Sequence, residues 1–494
     1  MTRTAKTNNV ALVEINNNAN PRSYIGSYFD PLGIEYIAGK LSQNNADVSA
    51  RVFQNSAWKP KHLSLDDFAK KIIATNPDIV GFSTLTYNFL SNIYVAEQIK
   101  KSNPATTIIF GSEHISALPE EIGNYNCINY AVIGEGEETM SELVDFIANE
   151  SANSEREKIK GIAYKENGQV IITPRRSRNK SLDSLPFPKR TAELLAGNFI
   201  ENMNLPISEQ KTTQTTYSRG CPYQCSFCTA PSMWQSNITW RSPNNVVDEI
   251  KELQEKFGIN TVLFSDLSFN VNPKKVEELC DAINQAGVEF YWQAMARIDR
   301  ITPELLEKMH SAGCRKIAYG IETFESEKIS EYNKKIAMKQ YSIEEILNTA
   351  HELGITNRAY MILGHPEETE HTIANTSKKL RELAKSGLHE IGVSILTPFP
   401  GTADFEKYEK QGMIREKNWS HYDCQHPVLH YKHINPEQIA EARFRIIEKF
   451  YTSPEYSRII EDKIGRFPEY KESFIEFAQL QAEKTRGRIK IDIL

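Results

Sequence analysis

Short apolar runs alternate with amphipathic stretches twice along this 494-residue chain, and that alternation narrows the fold more than any other feature. In the first stretch the apolar runs fall at 10–15, 48–53, 79–82, 107–110 and 130–133, with helix-period segments near 33–41, 65–74, 89–101, 118–123 and 137–148. Continuous apolar runs predict strands buried on both faces, as in a parallel sheet flanked by helices. Five strands and five helices match a flavodoxin-like (Rossmann-type) α/β domain, whose ligand lies beyond the carboxyl ends of the strands at the topological switch point. The loops there are 17–27, 83–87, 111–116 and 134–137, where Ser83, Gly111, Gly134 and Gly136 would let backbone amides approach a large ligand. His114 is the only histidine in those loops; its other reading is a loop histidine bonded to backbone. Between two alternating segments at 160–174 stands Asn167-Gly168, a strong hairpin signal. Polar residues 175–183 and the Pro-rich 185–190 then read as a linker.

From Thr213 the pattern restarts. Strands are expected at 213–219, 261–266, 290–297, 316–322, 357–364 and 390–398, with helices near 246–257, 273–286, 303–312, 343–353 and 372–386. Six such units predict a partial (β/α)6 barrel of the TIM type, with chemistry at the C-terminal ends of its strands. The rest is amphipathic and charged, and predicts helices at 436–451 and 473–486 that cap the barrel mouth. Trp419, His421, Tyr422, His426, His430 and His433 match no metal spacing and read as a loop lining the pocket. The expected division is 1–150, a hairpin and linker over 151–212, the barrel over 213–403, and a helical region over 404–494.

The loop after the first barrel strand carries Cys221, Cys225 and Cys228. A four-iron four-sulfur cluster normally takes four thiolates, so this loop leaves one iron open to a small molecule. Zinc wants four N or S ligands in two separated pairs, and the chain has no second C-x-x-C. On this loop the chain resembles the radical SAM superfamily, which cleaves S-adenosyl-L-methionine reductively at such a 4Fe-4S cluster. The resemblance places Phe227 against the adenine. The runs 31–38, 78–83, 108–114 and 134–137 resemble the cobalamin-binding domain that precedes the barrel in one large subgroup, although no D-x-H-x-x-G occurs to supply a histidine below cobalt. A methylthiotransferase-type N-terminal domain would need three more cysteines, and only Cys127 lies before residue 200.

The resemblance also gives roles to polar residues ending the barrel strands. Bound S-adenosyl-L-methionine needs a cation for its carboxylate and acceptors for its ammonium and ribose. Arg297 is the expected cation, and Asp266 and Glu322 the acceptors, each with a helix cap or surface charge as its alternative. Gly364 opens a Gly-His-Pro-Glu-Glu turn where His365 reads as a loop contact, and Leu267 stands where the subgroup often has a second Asp.

Seven cysteines without framework spacing fit a reduced cytoplasmic protein. No secretory h-region follows the first basic residues, and no apolar stretch has membrane-span length. A net charge of −6, with both signs interspersed, gives no basic field for nucleic acid. The resemblance implies an enzyme reduced by a flavodoxin or ferredoxin and acting on a small molecule. The expected reaction is cobalamin-dependent methylation of an unactivated carbon or of phosphorus through a 5′-deoxyadenosyl radical. A non-methylating oxidative cyclase or ring-rearranging enzyme, and a non-catalytic cobalamin-binding sensor, stay open.

Overall fold

The computed structural model describes residues 8–16, 30–44, 48–56, 62–149, 153–196, 205–207, 209–334, 336, 338, 340–484, 487 and 491. The loop 17–27, expected at the ligand edge of the first sheet, lies outside the described residues, as do 485 and 486 at the end of the last predicted helix.

Seven strands form the first sheet: β1 (Asn8–Asn16), β2 (Val48–Ser56), β3 (Ile79–Ser83), β4 (Thr107–Gly111), β5 (Tyr130–Val132), β6 (Ile162–Glu166) and β7 (Gln169–Ile172). Their order is β2-β1-β3-β4-β5-β6-β7. The first five run parallel, Val10 pairing with Val48 on one side and Ile79 on the other, so the order reverses beside β1. That reversal opens the crevice in which doubly wound sheets bind ligands. The Asn167-Gly168 hairpin forms with φ of 50° and 78° at its two turn residues, the pair of positive values a type I′ turn demands. It adds β6 and β7 antiparallel to β5 and so extends this sheet.

The predicted strand at 213–219 splits into β8 (Thr212–Thr215) and β9 (Ser218–Gly220), and β9 pairs antiparallel with β10 (Ile238–Trp240). The break has a local cause. The backbone N–H groups of Tyr217 and Ser218 donate to the Asp266 carboxylate at 2.9 and 2.5 Å instead of joining the ladder. The barrel continues through β11 (Thr261–Phe264), β12 (Tyr291–Ala296), β13 (Cys314–Glu322), β14 (Thr356–Leu363) and β15 (Leu388–Ile395), ordered β15-β14-β13-β12-β11-β8 and parallel throughout. Alternation assigns the two faces. Trp292, Ala294 and Ala296 of β12 and Ala359, Met361 and Leu363 of β14 enter the core under the outer helices, which turns Met295 and Tyr360 into the lumen.

The C-terminal helices do not cap the barrel mouth. Pro436–Tyr451 packs along β15 and the helix Glu370–Ala384, and Pro454–Arg466 follows it. Ala442, Ile446, Ile447 and Phe450 join the barrel core there, so these helices cover the edge that six strands leave unclosed. Trp419, Tyr422 and Val428 pack into the core of the first sheet with Phe89 and Phe110. The aromatic and histidine loop is therefore a clamp between the two parts and not a wall of the pocket.

Candidate active site

Gly220 sets the direction of the cysteine loop. Its φ is +95°, and a Cβ there would lie 2.1 Å from the Asn237 carbonyl on the approaching β10 side, so only glycine lets the chain turn directly into Cys221. Cys221, Cys225 and Cys228 are free thiols, all partly exposed. The Cys228 N–H donates to the Cys225 carbonyl at 3.1 Å, and the Ala230 N–H to Cys228 Sγ at 3.4 Å. Burial raises all three thiols, Cys228 to about 12, while Arg297 and Lys334 partly offset it at Cys221 and Cys225.

A strap from 332 to 334 holds that loop. The Ser226 N–H donates to the Tyr332 carbonyl at 3.0 Å, Asn333 Nδ2 to the Gln224 carbonyl at 2.9 Å, and Arg297 Nη1 to the Lys334 carbonyl at 3.1 Å. Arg297 sits against the loop, its guanidinium carbon 4.1 Å from the Tyr223 ring centroid, and holds Asp299 through two bonds of 3.0 Å. Burial opposes its charge, but Asp299, Tyr223 and Cys225 together keep the guanidinium above its ordinary value. Glu322 ends β13 with φ of 67° and pairs with Lys334. Phe227 stands beside the Tyr332 ring, centroids 5.3 Å apart and edge-on. Arg297, Glu322 and Phe227 therefore gather around the cysteine loop.

Three expected contacts fall elsewhere. Asp266 is 1% exposed, and its carboxylate is occupied by the Tyr217 and Ser218 N–H groups and the Ser218 hydroxyl; burial raises it to about 6, against those bonds. It shapes the strand that leads to Cys221, and its two oxygens are taken up by that strand. Gly364 takes φ of +85° in a turn closed by its own N–H to Glu368, 3.1 Å away, and packs against Ile439. His114 is 1% exposed, with Nδ1 3.2 Å from Thr86 Oγ1 and Nε2 3.0 Å from Glu121, between the rings of Phe89 and Trp419. It serves the packing of the clamp, and its ring nitrogens meet side chains and not the backbone that its plainer reading expected.

Between the ligand edge of the first sheet and the barrel lies a cavity of about 470 Å³, within the size range of small-molecule sites. Ser83, Gly111, Gly134 and Gly136 line its first-sheet side as expected, and Leu267, Met233 and Trp234 its barrel side. Glu113 lines it as well, accepting from the Thr229 hydroxyl at 3.2 Å. Burial raises the Glu113 carboxyl and the Thr229 bond lowers it. Thr229 follows Cys228, so this one contact joins the cavity to the cysteine loop. Sequence reasoning missed Lys334, which stands twelve residues beyond Glu322 with no motif to mark it. It also missed Glu113 and Arg219, though both lie inside segments that were read.

Comparison with known proteins gives each of the two parts its own family match. Residues 215–380 match the radical SAM superfamily, and residues 22–144 match a B12 binding domain. The chain belongs to the radical SAM superfamily, in the subgroup with a cobalamin-binding domain, and is an enzyme. An uncharacterized methyltransferase of Pyrococcus horikoshii is 30% identical over 431 residues, covering 87% of this chain and 89% of that protein. The anaerobic magnesium-protoporphyrin IX monomethyl ester cyclase of Rubrivivax gelatinosus is 27% identical over 367 residues, covering 72% and 63%. The solved structure of TsrM from Kitasatospora setae, a radical S-adenosylmethionine methyltransferase with cobalamin and a [4Fe-4S] cluster bound, shares the fold with a TM-score of 0.65, at 16% identity over 99% of this chain and 91% of that one.

The residues fit these cofactors. Among the described residues no three His, Cys, Asp or Glu side chains converge on a single ion. Three thiolates of a four-iron cluster each take a different iron, so they surround a cube and share no point. The cavity offers glycine edges and apolar walls to a corrin, and no described histidine lines it.

Proposed function

We propose that this enzyme methylates a carbon or a phosphorus of a small metabolite, using the cysteine loop and the cavity as adjoining halves of one active site. The observation that carries the reading is the Glu113–Thr229 bond of 3.2 Å, which sets the cavity directly beside Cys228. Bound there, the cluster, S-adenosyl-L-methionine and cobalamin would supply radical generation and methyl delivery. The chain's own work is placement. Cys221, Cys225 and Cys228 would hold the cluster, and the 332–334 strap fixes their loop. Arg297 and Lys334 put positive charge beside the open position, where a carboxylate would be held. Glu322 offers an acceptor, Phe227 a ring face, and the backbone at Ser83, Gly111, Gly134 and Gly136 a seat for the corrin. The division at 1–150, 151–212, 213–403 and 404–494 would then separate cobalamin binding, connection, radical chemistry and barrel closure. A cytoplasmic setting accords with the free cysteines, and a flavodoxin or ferredoxin would be the reductant. Among the described residues no helix is long and apolar enough to cross a membrane.

The test is anaerobic purification with cobalamin, reconstitution with iron and sulfide, and product analysis after dithionite and S-adenosyl-L-methionine. Cluster and corrin absorption with both 5′-deoxyadenosine and S-adenosylhomocysteine is the expected result, and Cys225→Ala is expected to lose the cluster bands and both products. 5′-Deoxyadenosine without S-adenosylhomocysteine would replace methylation by a ring-forming or rearranging reaction.

A further inference from the structure

Residues 173–179 follow β7 without forming helix or strand, and their arginines explain the path. The stretch is tied to the first part at its start: the Gly161 N–H donates to the Pro174 carbonyl at 2.9 Å, and Arg176 Nε to Thr139 Oγ1 at 2.8 Å on the helix Glu137–Ala148. Arg175 and Arg178 reach the other way, into the barrel part. Arg175 donates to the Ser232 and Met233 carbonyls at 2.8 and 2.7 Å. Arg178 donates to the Arg219 carbonyl at 2.9 Å and to the Trp234 carbonyl at 3.4 Å. These carbonyls bracket the cysteine loop, since Arg219 precedes Cys221 by two residues and the helix Ala230–Trp234 starts two residues after Cys228. The last carbonyls of a helix have no partner within it and favour a cation. The fork of Arg178 therefore holds the entrance and the exit of the loop at once.

The same arginines meet the first-sheet wall of the cavity. Glu135 Oε2 lies 3.7 Å from Arg178 Nε and accepts from the Asn179 N–H at 3.0 Å, and Glu135 Oε1 lies 3.3 Å from Arg219 Nη1. A Cβ on Gly134 would lie 3.5 Å from Arg175 Nε, so this guanidinium packs against the glycine. Gly134 and Glu135 line the cavity from one side, and Met233 and Trp234 from the other, while neither Arg175 nor Arg178 lines it. The Arg178 and Glu135 side chains are 10% and 11% exposed, so their attraction is little screened by salt. Placed behind both walls, the two arginines fix how far apart the walls stand.

We propose that Arg175 and Arg178 are positioning residues, which hold the cluster loop against the corrin seat and so set the spacing of the two metal centres. This rests on the cluster and cobalamin seats proposed above and adds what fixes their separation. Chemistry shared between two cofactors is sensitive to misplacement of about 1 Å. A wall held in place beforehand also lowers the ordering cost of binding. The arginines thus act on the reaction through the two walls they join.

The experiment is electron paramagnetic resonance of the anaerobic, dithionite-reduced protein loaded with cobalamin and the cluster. Cob(II)alamin is a slowly relaxing spin and the reduced cluster a fast one, so the microwave power that saturates the cobalt signal rises steeply as the two approach. Native protein is expected to need more power than Cys225→Ala, which lacks the cluster. Arg178→Gln is expected to keep its iron, to lose most of that excess, and to bind cobalamin about tenfold more weakly in absorbance titration. Arg178→Lys keeps the charge beside Glu135 but not the fork, and is expected to regain affinity while the excess stays low. Arg175→Gln alters an exposed side chain that the fold tolerates, and is expected to lose part of the excess. An excess unchanged in both glutamine variants overturns the positioning role and leaves the two seats standing. Native protein that binds cobalamin and cluster with no excess over Cys225→Ala overturns both the shared site and the spacing, and one that takes up no cobalamin overturns the function proposed above along with it.

Discussion

Asp266 bonds two backbone N–H groups and one hydroxyl while fully buried, so its worth lies in what its removal leaves behind. An amide in its place offers one acceptor oxygen and turns an NH2 group toward a donor. Asp266→Asn is expected to cost about 1–3 kcal/mol in urea unfolding, the range for stranding a buried partner, and to lower iron retention because β9 leads straight into Cys221. Unchanged stability would return Asp266 to the list of ligand contacts. The same residue marks a limit of legibility. Its position at a strand end was readable, but an acid there can face a ligand or brace the neighbouring loop, and the choice depends on where Tyr217 and Ser218 point. His114 failed for the same reason, since its neighbours Thr86, Glu121 and Trp419 come from distant segments.

At the scale of elements, β1, β3, β4 and β5 were legible because a strand buried on both faces reads as an apolar run; β8 is Thr-Thr-Gln-Thr, and the expected strand at 213–219 missed its break. β9 and β10 were not legible, because the break that separates β9 from β8 is made by Asp266, a residue distant in the chain. Also unmarked was a relay that ties β15 to two helices at the closed end of the barrel. The Asn357 N–H donates to His389 Nδ1 at 3.0 Å, so His389 Nε2 carries the proton it gives to His351 Nδ1 at 2.9 Å, and His351 Nε2 donates to Asp462 at 2.7 Å. This chain of donors works only with both imidazoles neutral, since a further proton would set two N–H groups against each other. Burial lowers both histidines, with Lys463 adding to the effect at His389. Their folded pKa values lie below the unfolded ones, so the unfolded chain takes up more protons as pH falls past about 6.5, and stability falls with it. Between pH 7.5 and 5.5 the native protein is expected to lose about 1–3 kcal/mol more than His389→Gln, by urea midpoints. Equal losses would remove the relay from the pH response.

Across the whole molecule, the active site exists only where the two sheets meet, and one side chain holds much of that joint. Arg190, in the Pro-rich stretch read as a mere linker, is 2% exposed at its side chain and reaches both parts: Asp30 of the first at 3.1 Å and Glu249 of the barrel's helix Pro243–Phe257 at 2.7 Å. Its remaining nitrogen donates to the Gln214 carbonyl on β8. Glu35 lies 3.7 Å away, its carboxyl raised well above the usual range by burial and by Asp30. Arg190 thus meets a buried acid from each part, and Arg241 shares only Glu249. Removing one partner from a buried charge network costs about 3–5 kcal/mol, because the acids stay behind. Asp30 also lines the cavity, so the loss reaches the cofactor seat. Arg190→Met is therefore expected to lower the calorimetric transition temperature, to divide one unfolding peak into two as the sheets uncouple, and to reduce cobalamin retention on gel filtration. Arg190→Lys keeps the charge but lacks the fork that spans Asp30 and Glu249, and is expected to fall between the two. A single peak at the native temperature in Arg190→Met would mean that the apolar clamp around Trp419 and Tyr422 holds the joint without it.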